Sequence, residues 1–222
     1  YSTIDQLAQL KPDFISVTYG AGGSTTRNTV EIATMIKERW QIESVAHLSC
    51  IDATAENLRG VLDQLKEKGI ENILALRGDI PAGQTAPEVF PHASDLIREI
   101  RAMGDFCIGG ACYPEGHPES KNSVADIDGV RSKVESGCEF LTTQMFFDNN
   151  ILYSYMFRLL KNGIDDNPAA MRQAGIAYAT EQIIDLIAND VTHIHIYTMN
   201  RPDIAGQIMQ NLSEIIENHA AE

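Results

Sequence analysis

The sequence has few cysteines, no excess of positive charge and no long apolar segment, and each shortage excludes a class of protein. Its longest apolar runs, such as residues 183–188, are far shorter than the roughly 18 residues of a membrane-spanning helix, so we expect no membrane span. Lys and Arg number 17 against 31 Asp and Glu, which gives a formal net charge of −14. Because an acidic surface repels phosphate backbones, we do not expect nucleic acid as a partner.

The four cysteines include no Cys-x-x-Cys pair of the kind that binds zinc or exchanges electrons. Cys50, Cys107, Cys112 and Cys138 each lie in or beside an apolar run, where cysteine behaves as a small hydrophobic residue. We therefore expect free core or strand cysteines, which fits a reducing cytoplasm. The first residues also lack the basic and apolar stretches of a signal peptide, so a cytoplasmic location is the expectation.

What the sequence does contain is a regular alternation of strand-like and helix-like segments. Runs rich in β-branched, aromatic and other apolar residues predict six strands, at 13–20, 44–51, 72–79, 107–114, 140–147 and 193–200. Amphipathic helices are predicted at 25–39, 54–68, 93–103, 124–136 and 149–161, with further helical segments at 3–10 and 179–188. Such alternation predicts parallel strands joined by crossover helices.

The spacing of these strands favours a barrel. The first five strands begin at regular intervals, whereas the interval from residue 140 to residue 193 is much longer and indicates that one strand is absent near Ile164 and Asp165. Helix 3–10 also feeds the first strand with no strand before it. Six strands and two absent ones make the eight of a (β/α)8 TIM barrel, so we expect one barrel domain over residues 1–222. A doubly wound sheet of six strands is the alternative.

Polar residues are concentrated at the carboxyl ends of the predicted strands, where both architectures bind ligands. The most distinctive ends are Arg77-Gly78-Asp79 and the proline-braced loop 113–119. The glycine turn at 20–24 either binds an anion through its amides or is a plain turn before a helix cap. It matches neither the dinucleotide motif nor the phosphate loop.

No metal site is predicted from the histidines. His117 has no second histidine at ligand spacing. His193 and His195 alternate along a predicted strand, and we interpret them as structural strand histidines rather than as metal ligands.

Taken together, the strand ends resemble those of the methylenetetrahydrofolate reductases over nearly the whole chain. The matching segments are VTYGA at 17–21, HLSCIDAT at 47–54, LRGD at 76–79, YPEGHPE at 113–119, TQMFFD at 143–148 and HIYTMNR at 195–201. This resemblance implies a flavoprotein barrel that binds FAD. A nicotinamide cofactor, NADH or NADPH, would reduce the flavin, which would then reduce methylenetetrahydrofolate to methyltetrahydrofolate for methionine synthesis.

The resemblance also implies roles for individual residues. The positions that correspond to FAD contacts in the family are Thr18, His47, Arg77, Gly78, Asp79, Ala93, Tyr113, His117, Ser120, Asp126 and Lys133. Asp79 is implied to be catalytic, because its counterpart lies beside both flavin and folate. Gln144 and Arg201 correspond to folate-binding positions, with the arginine at the glutamate tail. Relatives of bacterial type imply a homo-oligomer, either a dimer or a tetramer.

Some family features have no counterpart here. The family's first strand carries a glutamate general acid, and no residue of this sequence corresponds to it. The absent strand near Ile164 would also contribute folate contacts. Gly129 and Ser132 stand where relatives often have an asparagine and an arginine near the diphosphate, which leaves Lys133 as the expected anchor.

Two other functions are compatible with parts of this pattern. A non-catalytic flavin- or folate-binding barrel would fit the lack of the glutamate. A phosphate-binding barrel lyase could use the glycine turn at 20–24, but that class usually needs a strand-end lysine or metal ligands. No lysine ends any of the six predicted strands.

Overall fold

The structure is a computed structural model, and it describes most of the chain. The described residues are 2–18, 26–51, 53–80, 83, 85, 87–164, 168–189, 191, 193–196 and 201–219. They divide into two compact units, Tyr1–Gln144 and Met145–Glu222, called here unit 1 and unit 2. The expectation that residues 1–222 form one domain stays a prediction.

Unit 1 is an alternation of helices and parallel strands. Its strands are β1 (Phe14–Val17), β2 (Glu43–Ser49), β3 (Asn72–Leu76), β4 (Cys107–Cys112) and β5 (Phe140–Thr143). Its helices are α1 (Ser2–Gln9), α2 (Thr26–Trp40), α3 (Ala55–Glu67), α4 (Ala93–Met103) and α5 (Ser123–Glu135). These bounds confirm the predicted order of elements. Each described strand ends two to four residues earlier than predicted, because the chain leaves the ladder there and turns toward the next helix.

The strands form one sheet in the order β1-β2-β3-β4-β5, and every neighbouring pair is parallel. Each new strand is therefore added on the same side of the previous one. A doubly wound sheet reverses its order partway, whereas a barrel does not. The sheet is thus a half-barrel of five strands, which confirms the α/β barrel prediction and makes the doubly wound alternative wrong.

Burial explains why these segments form strands. Both faces of β3 are covered, because Ile73, Leu74 and Ala75 are consecutive and all buried, as is usual for parallel strands flanked by helices. In β4, a Cβ on Gly109 would lie 2.2 Å from the ring of Phe140, its register partner in β5. Glycine at this position therefore leaves the space that the ring of Phe140 occupies.

The helices of unit 1 cover the sheet with narrow apolar stripes. In α3, Leu58, Leu62 and Leu65 are buried at helical spacing. The N-cap of this helix is Thr54, whose hydroxyl accepts a hydrogen bond from the backbone N–H of Asn57 at 3.1 Å. In α4, Leu96 and its neighbours are fully buried in the same core.

The cysteines of unit 1 are free thiols, as predicted. Cys50, Cys112 and Cys138 are buried, and Cys107 is half-buried in β4. Burial raises the pKa of Cys50 to about 12. It also raises the pKa of Cys138 to about 11. Both thiols therefore remain protonated at neutral pH.

Unit 2 consists of the helices α6 (Asn149–Lys161), α7 (Pro168–Ala188) and α8 (Pro202–His219). Helix α6 begins after Asp148, whose carboxylate accepts from the N–H of Asn150 at 2.8 Å. Helices α7 and α8 bury a small core at their contact. Its buried members are Ile176, Ile183, Ile208 and Leu212.

The sixth predicted strand is not formed in the residues that the structure describes. Residues 193–196 lie outside any strand, so this part of the prediction is wrong, and 197–200 lie outside the described residues. A strand needs the backbone of a partner to complete its hydrogen bonds, and in unit 2 the described elements are all helices. His193 and His195 are exposed there, so they are not strand histidines.

The break that we predicted near Ile164 falls between α6 and α7. Ile164 lies in no strand, and Asp165 is outside the described residues. Across the described ranges, no helix has the length and apolarity needed to cross a membrane.

Candidate active site

Three predicted site residues, Arg77, Gly78 and Asp79, lie in the turn that follows β3. Gly78 has a φ of 84°, and a Cβ there would lie 2.5 Å from Ser49 Oγ. The Ser49 hydroxyl is itself engaged, because it donates to the Arg77 carbonyl at 3.2 Å. The turn therefore requires glycine, and the end of β2 fixes the backbone that carries Arg77 and Asp79.

The guanidinium of Arg77 makes a bidentate ion pair with Glu119, which lies in the loop after β4. Nη1 and Nη2 donate to the two carboxylate oxygens at 2.6 and 2.8 Å. The hydrogen bond to Glu119 is the main cause that raises the pKa of Arg77, and the same bond lowers the pKa of Glu119. Both groups therefore stay charged throughout the neutral range.

Tyr113 and His117 belong to the same loop after β4. Their ring centroids are 4.6 Å apart in an edge-to-face arrangement. Burial raises the pKa of Tyr113, and the negative charge of Asp79 raises it further. The Tyr113 hydroxyl therefore keeps its proton at neutral pH, and Asp79 acts on it across the gap between two strand ends.

Asp126, in the first turn of α5, holds the loop after β4 in place through hydrogen bonds. Its Oδ1 accepts from the backbone N–H of His117 at 3.2 Å and from the Ser120 hydroxyl at 3.4 Å. The other oxygen, Oδ2, is buried and has no hydrogen-bond partner among the described residues. A buried acceptor without a partner is costly, so a ligand donor would be favoured there.

Lys133 brings a second cation to this region from the last turn of α5. Its Nζ donates to the Ala111 carbonyl in β4 at 2.6 Å. Burial is the main cause that lowers its pKa, with Asp126 acting in the opposite direction. Arg77, Asp79, Tyr113, His117, Glu119, Ser120, Asp126 and Lys133 are linked by these contacts and charges, and we call them the strand-end cluster.

His47 is a predicted site residue that lies within β2. Its Nε2 is buried and has no hydrogen-bond partner in the described part of the chain. Burial lowers its pKa, so the imidazole is neutral at neutral pH. It therefore presents an unused nitrogen beside the sheet.

Three other predicted residues of unit 1 make none of the described contacts with the strand-end cluster. Thr18 is exposed after β1, and its carbonyl accepts from the Thr29 hydroxyl at 3.3 Å. Ala93 is the buried first residue of α4. Gln144 has an exposed side chain, while its backbone N–H donates to the Cys112 carbonyl at 2.7 Å.

Arg201, the remaining predicted residue, lies in unit 2 immediately before α8. It donates to both oxygens of Asp203, through Nε and Nη2, at 3.2 Å each. Arg172 of α7 donates to the same carboxylate at 2.9 and 3.2 Å. The bond from Arg201 is the main cause that lowers the pKa of Asp203 to about 2. Two guanidiniums thus share one carboxylate, which leaves a positive charge.

Sequence reasoning missed the roles of Glu119 and Ser49. Both lie inside segments that carry the family resemblance, but no spacing rule pairs residue 49 or 119 with residue 77. The glycine turn at 20–24 lies outside the described residues. Within the described residues, no group of three His, Cys, Asp or Glu side chains could hold a metal ion.

A parallel half-barrel with charged groups collected beyond its strand ends defines an α/β-barrel enzyme. Comparison with known proteins specifies the class. The sequence model of the family "Methylenetetrahydrofolate reductase" matches residues 1–165 and 156–213. The chain is also 33% identical over 251 residues to the 5,10-methylenetetrahydrofolate reductase of Pectobacterium carotovorum subsp. carotovorum, with 96% of this chain and 84% of the relative covered.

The chain therefore belongs to the methylenetetrahydrofolate reductase family, a family of oxidoreductases. The enzyme of Escherichia coli (strain K12) is similar to the same degree, at 33% identity over 96% of this chain and 84% of its own length. An Arabidopsis thaliana relative, "Methylenetetrahydrofolate reductase (NADH) 1", is 29% identical over 98% of this chain and 46% of its own.

The alignment to the bacterial relatives supports the prediction that a strand is missing between α6 and α7. It extends over 251 residues, whereas this chain has 222, so the relatives contain residues that this chain lacks. The two matches to the family model overlap at 156–165, which is where the sequence predicts a missing strand.

Solved structures support the fold alone. A 2,3-dimethylmalate lyase matches with a TM-score of 0.54 at 11% identity, covering 99% of this chain and 88% of its own. An oxaloacetate acetylhydrolase matches with a TM-score of 0.53 at 11% identity, covering 99% and 90%. At this identity the likeness concerns the barrel architecture and not the chemistry.

Proposed function

We propose that this chain reduces 5,10-methylenetetrahydrofolate to 5-methyltetrahydrofolate, with FAD as the bound cofactor and NADH or NADPH as the reductant. The observation that carries the proposal is the strand-end cluster in a chain of this family. It combines two cations (Arg77 and Lys133), three carboxylates (Asp79, Glu119 and Asp126) and one buried oxygen, Asp126 Oδ2, that has no partner among the described residues. Barrel enzymes bind their substrates at the strand ends.

The residues present fit a flavin dinucleotide. Arg77 and Lys133 supply positive charge for a diphosphate, in a chain whose net charge is −14. Asp126 Oδ2 lacks a partner among the described residues and suits a hydroxyl donor such as those of the ribityl chain. His47 Nε2 offers another unused polar atom. When bound, FAD would carry two electrons from the nicotinamide to the folate.

Asp79 is the proposed catalytic residue of unit 1. Its side chain is exposed after β3, and its charge already acts on the hydroxyl of Tyr113. A carboxylate in this position favours positive charge on a nearby substrate, which suits the cationic form of an activated methylene group. Tyr113 keeps its proton and can donate a hydrogen bond.

Gln144 and Arg201 are the proposed folate-binding residues. The exposed amide of Gln144 can pair with the polar edge of a pterin, since it both donates and accepts. Arg201 can bind a carboxylate of the glutamate tail, because its Nη1 is not used in the bonds to Asp203.

A phosphate-binding lyase is not favoured. The solved structures that resemble this chain include a lyase, but at 11% sequence identity the likeness supports a shared fold and not a shared reaction. In the wider context, we propose a cytoplasmic homo-oligomer, a dimer or tetramer, that supplies methyl groups for methionine synthesis.

Anaerobic spectroscopy of the purified protein tests this proposal. We expect a flavin absorption spectrum, or its appearance on titration with FAD, and bleaching of that spectrum by NADH or NADPH. Addition of methylenetetrahydrofolate should restore the oxidised spectrum. Bleaching without restoration would identify a reductase that lacks its folate half-reaction, and absence of flavin binding would overturn the proposal.

A further inference from the structure

The ion pair between Arg77 and Glu119 links the segments that follow two neighbouring strands of the sheet, β3 and β4. Arg77 follows β3, whereas Glu119 lies in the loop after β4. The side chain of Arg77 is 21% exposed and that of Glu119 is 55% exposed. Both oxygens of the carboxylate are used, at 2.6 and 2.8 Å, so the guanidinium is held in one plane.

The backbone of Glu119 also fixes the imidazole of His117. Its N–H donates to His117 Nδ1 at 3.1 Å, so Nδ1 is the acceptor and the proton of the neutral ring resides on Nε2. The rest of the loop is held by Asp126, which accepts from His117 and Ser120. One residue therefore orients two side chains that are candidates for contact with FAD.

Most of the N–H donors of Arg77 are already used in hydrogen bonds within the protein. Nε donates to the Gly78 carbonyl at 3.2 Å, and Glu119 takes one N–H from each terminal nitrogen. Of the five N–H donors of a guanidinium, two have no partner among the residues that the structure describes and are left for a ligand. A long side chain that is already ordered loses less conformational entropy when it binds.

We propose that Glu119 is a positioning residue, whose carboxylate holds the Arg77 guanidinium in the orientation that binds FAD. This inference rests on the proposed function. It predicts that the carboxylate of Glu119 strengthens cofactor binding, although Glu119 itself is negatively charged and does not need to touch the cofactor. The opposite possibility is that Glu119 competes with the cofactor for Arg77.

Substitutions at Glu119 distinguish these two outcomes by the sign of the effect. In flavin-free protein titrated with FAD and followed by flavin fluorescence, Glu119→Ala should raise the dissociation constant about tenfold. Glu119→Gln, which keeps the size but places an amide against the guanidinium, should do the same. Glu119→Asp keeps the charge and should recover part of the affinity.

Glu115→Ala is the matched control, because Glu115 is an exposed glutamate of the same loop. It should bind FAD as the unchanged protein does. The Glu119 carboxylate is 55% exposed, so solvent screens its ion pair and the pair contributes little to folding stability. The melting temperature of all four variants should therefore stay within about 3 °C of the parent. If Glu119 only stabilised the fold, its variants would have lower melting temperatures, and Glu119→Asp would not recover FAD affinity.

A double substitution tests the path through Arg77. If Glu119 acts by positioning Arg77, the loss of affinity in Arg77→Ala/Glu119→Ala should be smaller than the product of the two single losses. FAD binding by Glu119→Ala that equals or exceeds that of the parent would overturn the role of Glu119 alone. If the parent itself binds no FAD, the proposed function fails, and this inference fails with it.

Discussion

Unit 1 and unit 2 hold their predicted site residues in different ways. In unit 1, the turn after β3 is fixed by a glycine at positive φ, by the Ser49 hydroxyl and by a buried sheet. In unit 2, Arg201 is held by an exposed carboxylate that it shares with Arg172. The proposed flavin site therefore depends on backbone conformation and core packing, whereas the proposed contact between Arg201 and the glutamate tail of folate depends on exposed charges.

The largest expected effect concerns the cores of the two units. Leu96 is fully buried among many apolar residues of unit 1, so Leu96→Ala should lower the free energy of unfolding by about 4 kcal/mol. Leu212 belongs to the much smaller core of unit 2, which can collapse more easily around a cavity. Leu212→Ala should therefore cost about 2 kcal/mol.

Urea denaturation followed by circular dichroism measures both losses, and Leu10→Ala is the control, since Leu10 is 77% exposed. Equal losses for the two core variants would remove the contrast between the cores.

The next effect concerns Asp79. Asp79→Ala should lower the rate of methylenetetrahydrofolate reduction about 100-fold, which corresponds to about 2.7 kcal/mol, because the negative charge beside the substrate is lost. FAD affinity and the rate of flavin reduction by NADH or NADPH should change much less. Stopped-flow absorbance separates the two half-reactions.

Asp63→Asn removes a charge from an exposed position on α3 and should leave both half-reactions unaltered. An Asp79→Ala variant with normal folate reduction would refute the catalytic assignment.

The third effect tests the backbone of the turn after β3. Gly78→Ala places a methyl group 2.5 Å from Ser49 Oγ and 2.7 Å from Ile51 Cγ1 at a φ of 84°. We expect a loss of about 2 kcal/mol in the free energy of unfolding and weaker FAD binding, because Arg77 and Asp79 would be displaced.

Gly83→Ala is the matched control for Gly78→Ala. Gly83 has a φ of 83°, and nothing described lies within 4 Å of its added Cβ. It should therefore show the cost of the backbone conformation alone. Equal costs at the two positions would mean that the contact with the end of β2 is unimportant.

The smallest effect is expected in unit 2. Arg201→Ala should raise KM for methylenetetrahydrofolate about tenfold, or about 1.4 kcal/mol, with kcat nearly unchanged, because the tail is remote from the reacting atoms. Arg172→Ala removes the other guanidinium from Asp203 and should raise KM no more than about twofold. An equal rise in KM for the two variants would mean that folate binding depends on the local positive charge and not on a specific contact with Arg201.

The sequence was sufficient for the order of elements and for the sheet type, because hydrophobic patterning is a local property. Helix bounds such as Ala93–Met103 coincide with those predicted. The strand predicted at 193–200 failed over 193–196, because its formation depends on a neighbouring strand and not on its own residues. The five strands that did form were predicted two to four residues too long at their carboxyl ends, because the point where a strand leaves the ladder is set by its pairing and not by its own residues.

The candidate site was predictable only where family motifs name a residue. Arg77, Tyr113, His117, Asp126 and Lys133 do come together in unit 1. The partner of Arg77 could not be predicted, since the pair with Glu119 depends on how two loops approach each other in space. The same holds for Ser49, whose hydroxyl supports the turn from a different strand.

The distribution of cysteine and tryptophan provides two internal reporters. The four thiols and the single tryptophan, Trp40, all lie in unit 1. Because Cys50 and Cys138 are buried and protonated in the native state, an alkylating reagent reacts with them only after that core opens. The rate at which Cys50 and Cys138 are labelled therefore measures the opening of unit 1 specifically, without any added dye, and FAD binding to this unit should slow it.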